Sequence, residues 1–297
     1  MNCPIIKSLE VIQIEHYQII KQLREERGLS QSFLAEGLTT REAVSKFERR
    51  GTKISAETLF WFLEKMNITL EEYYHICSNG ILPKKQQIIV DGYKHLSTYS
   101  SLQTLLTDLS NLSCGTNDPF YRLLIVQFRS LYYWLKNDLV NDNYIDNDRQ
   151  EIQHYLNGID TWGRFELSLF NNLLFLFDSD YITATYKRTI TKLMSYENII
   201  YYRNDITGFM SNALFIFWQR NDYQYMKSII SDLQLLTKDE DYCFYKITCK
   251  TFEKIYQAQN DLNLEDLKTE FDILNYLGYV STVNDYYTAY NIAKSKP

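Results

Sequence analysis

Apolar positions in the first quarter of the chain recur at helical spacings of three and four, in short blocks that hydroxyl residues introduce. Ile19, Ile20 and Leu23 mark a helix from Glu15 to Arg27, and Gly28 supplies its C-cap. Ser30 precedes Phe33-Leu34-Ala35, and Thr40 precedes Ala43, Val44 and Phe47. A side-chain oxygen at such a position accepts a hydrogen bond from an orphan N–H of the first helical turn. Ser55 introduces Leu59, Phe62, Leu63 and Met66, and Thr69 introduces Leu70, Tyr73, Tyr74 and Cys77, with Glu71 and Glu72 favouring the helix dipole. Five helices in about 65 residues make a compact all-α domain. Between Ser30 and Gly51, two short helices stand about four residues apart, the second capped and basic. That pattern describes a DNA-reading helix-turn-helix, and equally an ordinary pair of core helices.

The other two-thirds carries longer apolar helices and a repeat. Asn172–Phe177 (NLLFLF) recurs forty residues on as Asn212–Phe217 (NALFIF), and the turns that follow match, Ser179-Asp180-Tyr181 with Asn221-Asp222-Tyr223. Asn137-Asp138-Leu139 and Asn260-Asp261-Leu262 extend the series, so aspartates 138, 180, 222 and 261 are separated by 42, 42 and 39 residues. Each is expected to sit at a helix N-cap. Two helices per unit at this period indicate an α-solenoid, in which each hairpin buries its apolar face only against its neighbours. The period exceeds that of a strict tetratricopeptide repeat and lacks its consensus, so the array is TPR-like. The predicted architecture is all-α: a five-helix domain at 1–75 (core 15–75), a linker at 76–83, and an array of about five helical hairpins at 84–297.

Composition narrows the possibilities. Four prolines and ten glycines in 297 residues favour helix. Five scattered cysteines, with no CxxC pair, read as reduced core thiols. The first residues contain no signal-peptide run, and no window approaches the roughly 18 to 20 apolar residues of a membrane span. A soluble cytoplasmic protein is expected, without membrane, metal or cofactor. The net charge of −6 is uneven: residues 1–85 balance to +1 and the remainder to −7. From Arg41 to Lys53 five basic residues face two acids, a local basic patch suited to docking on DNA. The acidic run from Asp138 to Asp148 has neither the glycine nor the closing glutamate of a calcium loop. HExxH, P-loop and GxSxG patterns are absent, which argues against an enzyme targeted to DNA. The 25 tyrosines could stack on single strands, but they read better as filling between repeats.

Several motifs together carry a resemblance: Leu23-Arg24, Gly28-Leu29-Ser30-Gln31, Leu34-Ala35, the Ser45-Lys46-Phe47-Glu48-Arg49 run, and Ile54-Ser55 through Met66-Asn67-Ile68-Thr69-Leu70-Glu71-Glu72. Over about residues 15–75 the chain resembles the phage-repressor class of helix-turn-helix, and more narrowly the Rgg/MutR regulators of Gram-positive bacteria. The spacing of 12 from Ala35 to Phe47 agrees with that narrower group. The likeness continues weakly around Trp162, Phe165-Glu166-Leu167 and Asn212. It departs at Arg50, where the family usually has Gly and here Gly51 follows, so the helix is expected to run one residue further. The leader before Glu15 is longer than usual and has no assigned role.

The resemblance implies residue roles that the chemistry supports. Arg24 and Glu48 fall where an ion pair ties the first helix to the end of the recognition helix, fixing orientation more than adding stability. Ser30 and Thr40 cap the two helices, and Gln31 would bind phosphate. Arg41, Glu42 and Lys46 would meet base edges, while Arg49, Arg50 and Lys53 suit phosphates. In such regulators the array binds a short, mostly apolar signalling peptide (quorum sensing), and a homodimer reads a palindromic operator in double-stranded DNA. A peptide groove needs amide side chains for peptide amides, Arg for a carboxylate, and aromatic walls. Arg164, Ser168, Asn171 and Phe175 form one such stripe, and Gly208, Asn212, Phe215 and Gln219 a second, with Arg203 a further candidate. These asparagines could instead simply bridge neighbouring helices. The alternative reading is a regulator whose array is only a dimerisation scaffold, without a peptide.

Overall fold

A computed structural model describes residues 15–136, 145–197 and 199–295. The N-terminal leader and Asp138 lie outside them. Among the described residues the secondary structure is helical throughout, and the chain divides into two compact units, one ending at Ser97 and one starting at Thr98.

The first unit opens with α1 (His16–Glu26), α2 (Gln31–Ala35), α3 (Arg41–Arg50), α4 (Ala56–Lys65) and α5 (Leu70–Ser78). The four hydroxyl caps are all formed: Ser30, Thr40, Ser55 and Thr69 accept from the N–H groups of Phe33, Ala43, Thr58 and Glu72 at 3.0–3.2 Å. Glu72 answers Thr69 by accepting from its N–H at 2.7 Å, closing a capping box. Behind α1, the N–H groups of Gly28 and Leu29 reach back to the carbonyls of Glu25 and Arg24, with Gly28 at φ +65°. This is a Schellman ending, and the left-handed conformation suits glycine. As expected from Gly51, α3 extends through Arg50 before that residue turns left-handed at φ +61°.

Ile20, Leu23, Leu34, Val44, Phe47, Phe62, Leu63 and Met66 form the core of this unit. Four apolar expectations fail. Phe33, Ala43, Leu70 and Tyr74 are exposed, because α2 buries only Leu34 and Ala35, Glu48 rather than Ala43 completes the inner stripe of α3, and α5 turns Tyr73 and Cys77 inward. A sixth helix, α6 (Lys84–Lys94), belongs to this first unit, whereas the sequence pattern assigns it to the array.

The second unit comprises ten α-helices: α7 (Tyr99–Cys114), α8 (Pro119–Leu135), α9 (Ile145–Asn157), α10 (Arg164–Asn172), α11 (Ser179–Met194), α12 (Ile200–Arg220), α13 (Met226–Leu236), α14 (Cys243–Ala258), α15 (Lys268–Tyr276) and α16 (Val280–Lys294). Consecutive helices pack as five hairpins, from α7·α8 to α15·α16. α12 is the axis of the unit, touching α10, α11, α13, α14 and α16. Its apolar residues are spread around its circumference, as a helix buried on all sides requires. The hydroxyls it carries inward satisfy themselves: Thr207 donates to the Arg203 carbonyl at 3.0 Å and Ser211 to that of Thr207 at 2.8 Å.

The sequence repeat is not a conformational one. NLLFLF leaves α10 at Leu173 and passes through a 3-10 turn (Leu174–Leu176), whereas NALFIF lies wholly inside α12. Nor do the three described periodic aspartates cap α-helices. Asp178, not Asp180, caps α11 through the Tyr181 N–H at 2.7 Å. Asp222 and Asp180 instead accept from Ser179 and Tyr225, bridging adjacent hairpins. Asp261 sits in a 3-10 turn. The period therefore reflects contacts between repeats, which conserve spacing without conserving the cap.

Candidate nucleic-acid interface and candidate ligand groove

In the first unit three helices converge on one carboxylate. Glu48 of α3 is buried and accepts from Arg24 Nε at 2.6 Å and Nη2 at 2.8 Å, a two-pronged pair with α1. Gln31 of α2 donates to the same group at 2.8 Å. The hydrogen bonds to Glu48 hold the Arg24 pKa above its ordinary value against the opposing cost of burial. Gln31, predicted to reach phosphate, spends one of its two amide protons on Glu48 within the domain. Gly37, at φ +92°, makes the turn before α3, and a Cβ there would meet the Trp61 ring at 2.8 Å.

With Val44, Phe47 and Glu48 turned inward, α3 presents Arg41, Glu42, Lys46, Arg49 and Arg50 outward. Because Glu48 is buried and paired, five bases from Arg41 to Lys53 face solvent with one exposed acid, a stronger positive face than the raw count suggests. Arg41, Lys46, Arg50 and Lys53 make no hydrogen bond or ion pair with a described residue, while Arg49 Nε donates to the Ser45 carbonyl at 3.2 Å. The Ser30 and Thr40 oxygens are used by the caps, leaving each hydroxyl proton to donate.

The second unit contains a groove of about 550 Å³. Leu131, Trp134 and Leu135 of α8 form one wall, and Asp285, Thr288 and Ile292 of α16 lie on the other side. Between them run the end of α10 with its 3-10 turn (Asn171, Asn172, Leu174, Phe175) and α12 (Asn212, Phe215, Ile216, Gln219). Trp134 stacks on Phe175 with ring centroids 5.1 Å apart. Asn212 donates to Asn171 at 3.0 Å, bridging α12 and α10, which leaves one lone pair of the Asn171 oxygen, the Asn171 amide protons, the Asn212 oxygen and one Asn212 amide proton for a ligand. A ligand site of this size, apolar with a few amides, can take an extended chain several residues long.

A family model for the C-terminal domain of the HTH-type transcriptional regulator Rgg matches residues 133–288, more than half of the chain. The chain belongs to the Rgg family of transcriptional regulators. A helix-turn-helix model matches residues 20–73 of this Rgg-family regulator, so the DNA-binding reading of its first unit prevails over the core-helix one. No curated protein matches. Among solved structures, a transcriptional-regulator candidate from Listeria monocytogenes EGD-e aligns with TM-score 0.75 at 16% identity, over 93% of this chain and 96% of that one. The Streptococcus dysgalactiae SHP pheromone receptor Rgg2 aligns at 0.72 and 19%, covering 93% and 98%. PrgX in its cCF10 complex aligns at 0.70 and 15%, covering 94% and 99%. At these identities the likeness speaks for the fold. Among the described residues, no helix of the regulator is long and apolar enough to cross a membrane, and no group of three His, Cys, Asp or Glu could hold a metal.

The structure brings Asn171, Phe175, Asn212, Phe215 and Gln219 of the two sequence stripes together in the groove. The other four candidates are elsewhere, because each stripe enters the groove only at its C-terminal end. Arg164 pairs with Asp205 at 2.5 Å and covers the Tyr201 ring, while exposed Ser168 accepts from Asn172 at 3.3 Å. Arg203 donates to the Leu236 carbonyl and pairs with Asp239 at 2.8 Å, and it is not part of the groove lining. Gly208 faces the Tyr245 hydroxyl of α14, 3.6 Å from where its Cβ would stand. Sequence reasoning missed both flanking walls. Exposed apolar residues such as Trp134, Leu135 and Ile292 are a signal, but one that only the tertiary arrangement gathers into a groove.

Proposed function

We propose that this regulator acts in the cytoplasm as a homodimer that binds a palindromic operator in double-stranded DNA, under control of a short, mostly apolar signalling peptide held in the groove. The observation that carries the peptide is the groove itself, with amides along its middle and aromatic and aliphatic walls. Support comes also from the fold shared with Rgg2, a pheromone receptor, and with PrgX, solved in complex with cCF10. On this reading residues 1–75 serve DNA binding, and the second unit, which starts at Thr98, serves sensing and dimerisation. Arg41, Glu42 and Lys46 read bases, and Arg49, Arg50 and Lys53 hold phosphates with Ser30 and Thr40 beside them. Two α3 helices across a two-fold axis meet half-sites about 34 Å apart. The peptide acts by binding one dimer arrangement more tightly than the other. Thermal melting of the full chain with synthetic apolar heptapeptides, followed by operator binding, tests this. A peptide that raises the melting temperature should also change DNA affinity. If no peptide does either, the array is a dimerisation scaffold.

A further inference from the structure

Among the described side chains lining the groove, Asp285 is the one that carries a charge. It sits on α16 in line with Thr288 and Ile292, one residue from Tyr286, whose ring lies 4.7 Å from that of Phe215 on α12. Asp285 is an exposed residue on the groove wall; its carboxyl has no hydrogen bond or ion pair with any described residue, and the loss of water on its protein side raises its pKa above the ordinary value. The arginines that the same helices carry are engaged elsewhere: Arg122 with Glu151, Arg129 with Asp148, Arg164 with Asp205, Arg203 with Asp239, and Arg220 with Ser179 and the Phe175 carbonyl. The described lining of the groove is thus largely apolar, with one uncompensated negative charge.

A carboxylate so placed lowers its free energy when a cation enters with the ligand. An extended peptide without basic side chains brings one cation, its α-ammonium, while its C-terminal carboxylate can be met by neutral amide donors such as Gln219 and Asn171. We propose that Asp285 is the anchor for the free N-terminal ammonium of the groove peptide, selecting an unblocked N-terminus and setting the direction in which the chain lies. The inference rests on the peptide reading above. It adds a chemical requirement that this reading lacks.

The probe is a pool of synthetic heptapeptides randomised over Leu, Ile, Val, Phe and Gly. It is prepared with free N-termini, with acetylated N-termini, and acetylated with Lys at the first position. Retention on full-length protein is measured by native mass spectrometry and fluorescence titration, for the wild type, Asp285→Asn and Asp285→Glu. Free peptides should bind the wild type about tenfold more tightly than acetylated ones, equivalent to about 1.4 kcal/mol. Asp285→Asn should lose the same factor for free peptides and nothing further for acetylated ones, and Asp285→Glu should keep most of the preference. Equal binding of free and acetylated peptides, or an unchanged preference in Asp285→Asn, overturns the anchor while leaving the peptide reading intact. Full recovery by the acetylated Lys pool shows that a side-chain cation is what the site takes, and overturns the N-terminal assignment. No binding by any pool removes both readings.

Discussion

Replacing Glu48 with alanine tests whether one buried carboxylate orients the recognition helix. The substitution removes the acceptor of three hydrogen bonds, two from Arg24 at 2.6 and 2.8 Å and one from Gln31 at 2.8 Å. The Arg24 guanidinium would stay buried, its side chain 9% exposed, with the Leu29 carbonyl at 2.7 Å and Glu25 at 3.2 Å as its remaining partners. Stranding one member of a buried pair costs about 3–5 kcal/mol. Because Arg24 keeps two acceptors, the loss should fall near the lower end, about 3 kcal/mol. Half-exposed Gln31 can turn to water and adds little. The paired replacement Arg24→Met with Glu48→Leu removes both charges and should lie within about 1 kcal/mol of the wild type.

A single melting curve would mix two units, so the suitable measurement is amide hydrogen exchange on the intact chain. Amides of α1 and α3 should exchange roughly 150-fold faster in Glu48→Ala, since each 1.36 kcal/mol is tenfold. Those of α12 should not change. An acceleration below about threefold, or a double variant as damaged as the single one, would refute the reasoning and reduce the pair to a surface-like contact.

Further outcomes follow from the exposed face of α3 and from the cysteine thiols. Arg41→Ala should weaken operator binding by about 1–3 kcal/mol and relax base preference, whereas Arg50→Ala should weaken all sequences about equally; competition gel shifts against random DNA separate them. Burial pushes the Cys249 thiol up to about 12, while Cys114 and Cys243 are exposed, so iodoacetamide should label the exposed pair first. Above the ordinary thiol pKa the unfolded chain ionises Cys249 while the folded one does not. Its contribution to stability is therefore complete below pH ~8.5 and is lost as pH rises towards the folded value; urea titrations of Cys249→Ala should lose that component of the alkaline decline.

Much of the first unit was legible in the residues because its signals are local. Each hydroxyl cap needs only an N–H three residues ahead, and Gly28 and Gly51 need only their own backbone angles. Even the Arg24–Glu48 contact could be anticipated, through a family pattern dense enough to fix which helix faces which. What local signals did not show there was the partner of Gln31: its start-of-helix position says nothing about Glu48, 17 residues on, to which its amide donates.

By itself, the sequence determined the all-α class, the helix starts of the first unit, the basic face of α3 and the presence of a two-helix period. These depend on periodicity, capping and composition, which act over a few residues. Tertiary structure alone decided the groove. Its walls come from α8 and α16, about 150 residues apart in the chain, and they meet because α16 packs back on α12. Whether an exposed Trp134 is a surface residue or a wall, and whether Asp285 is one carboxylate among many or the charged point of a channel, depends on neighbours that no local pattern names. Side-chain spacing records what a helix offers; packing decides which offers face one another.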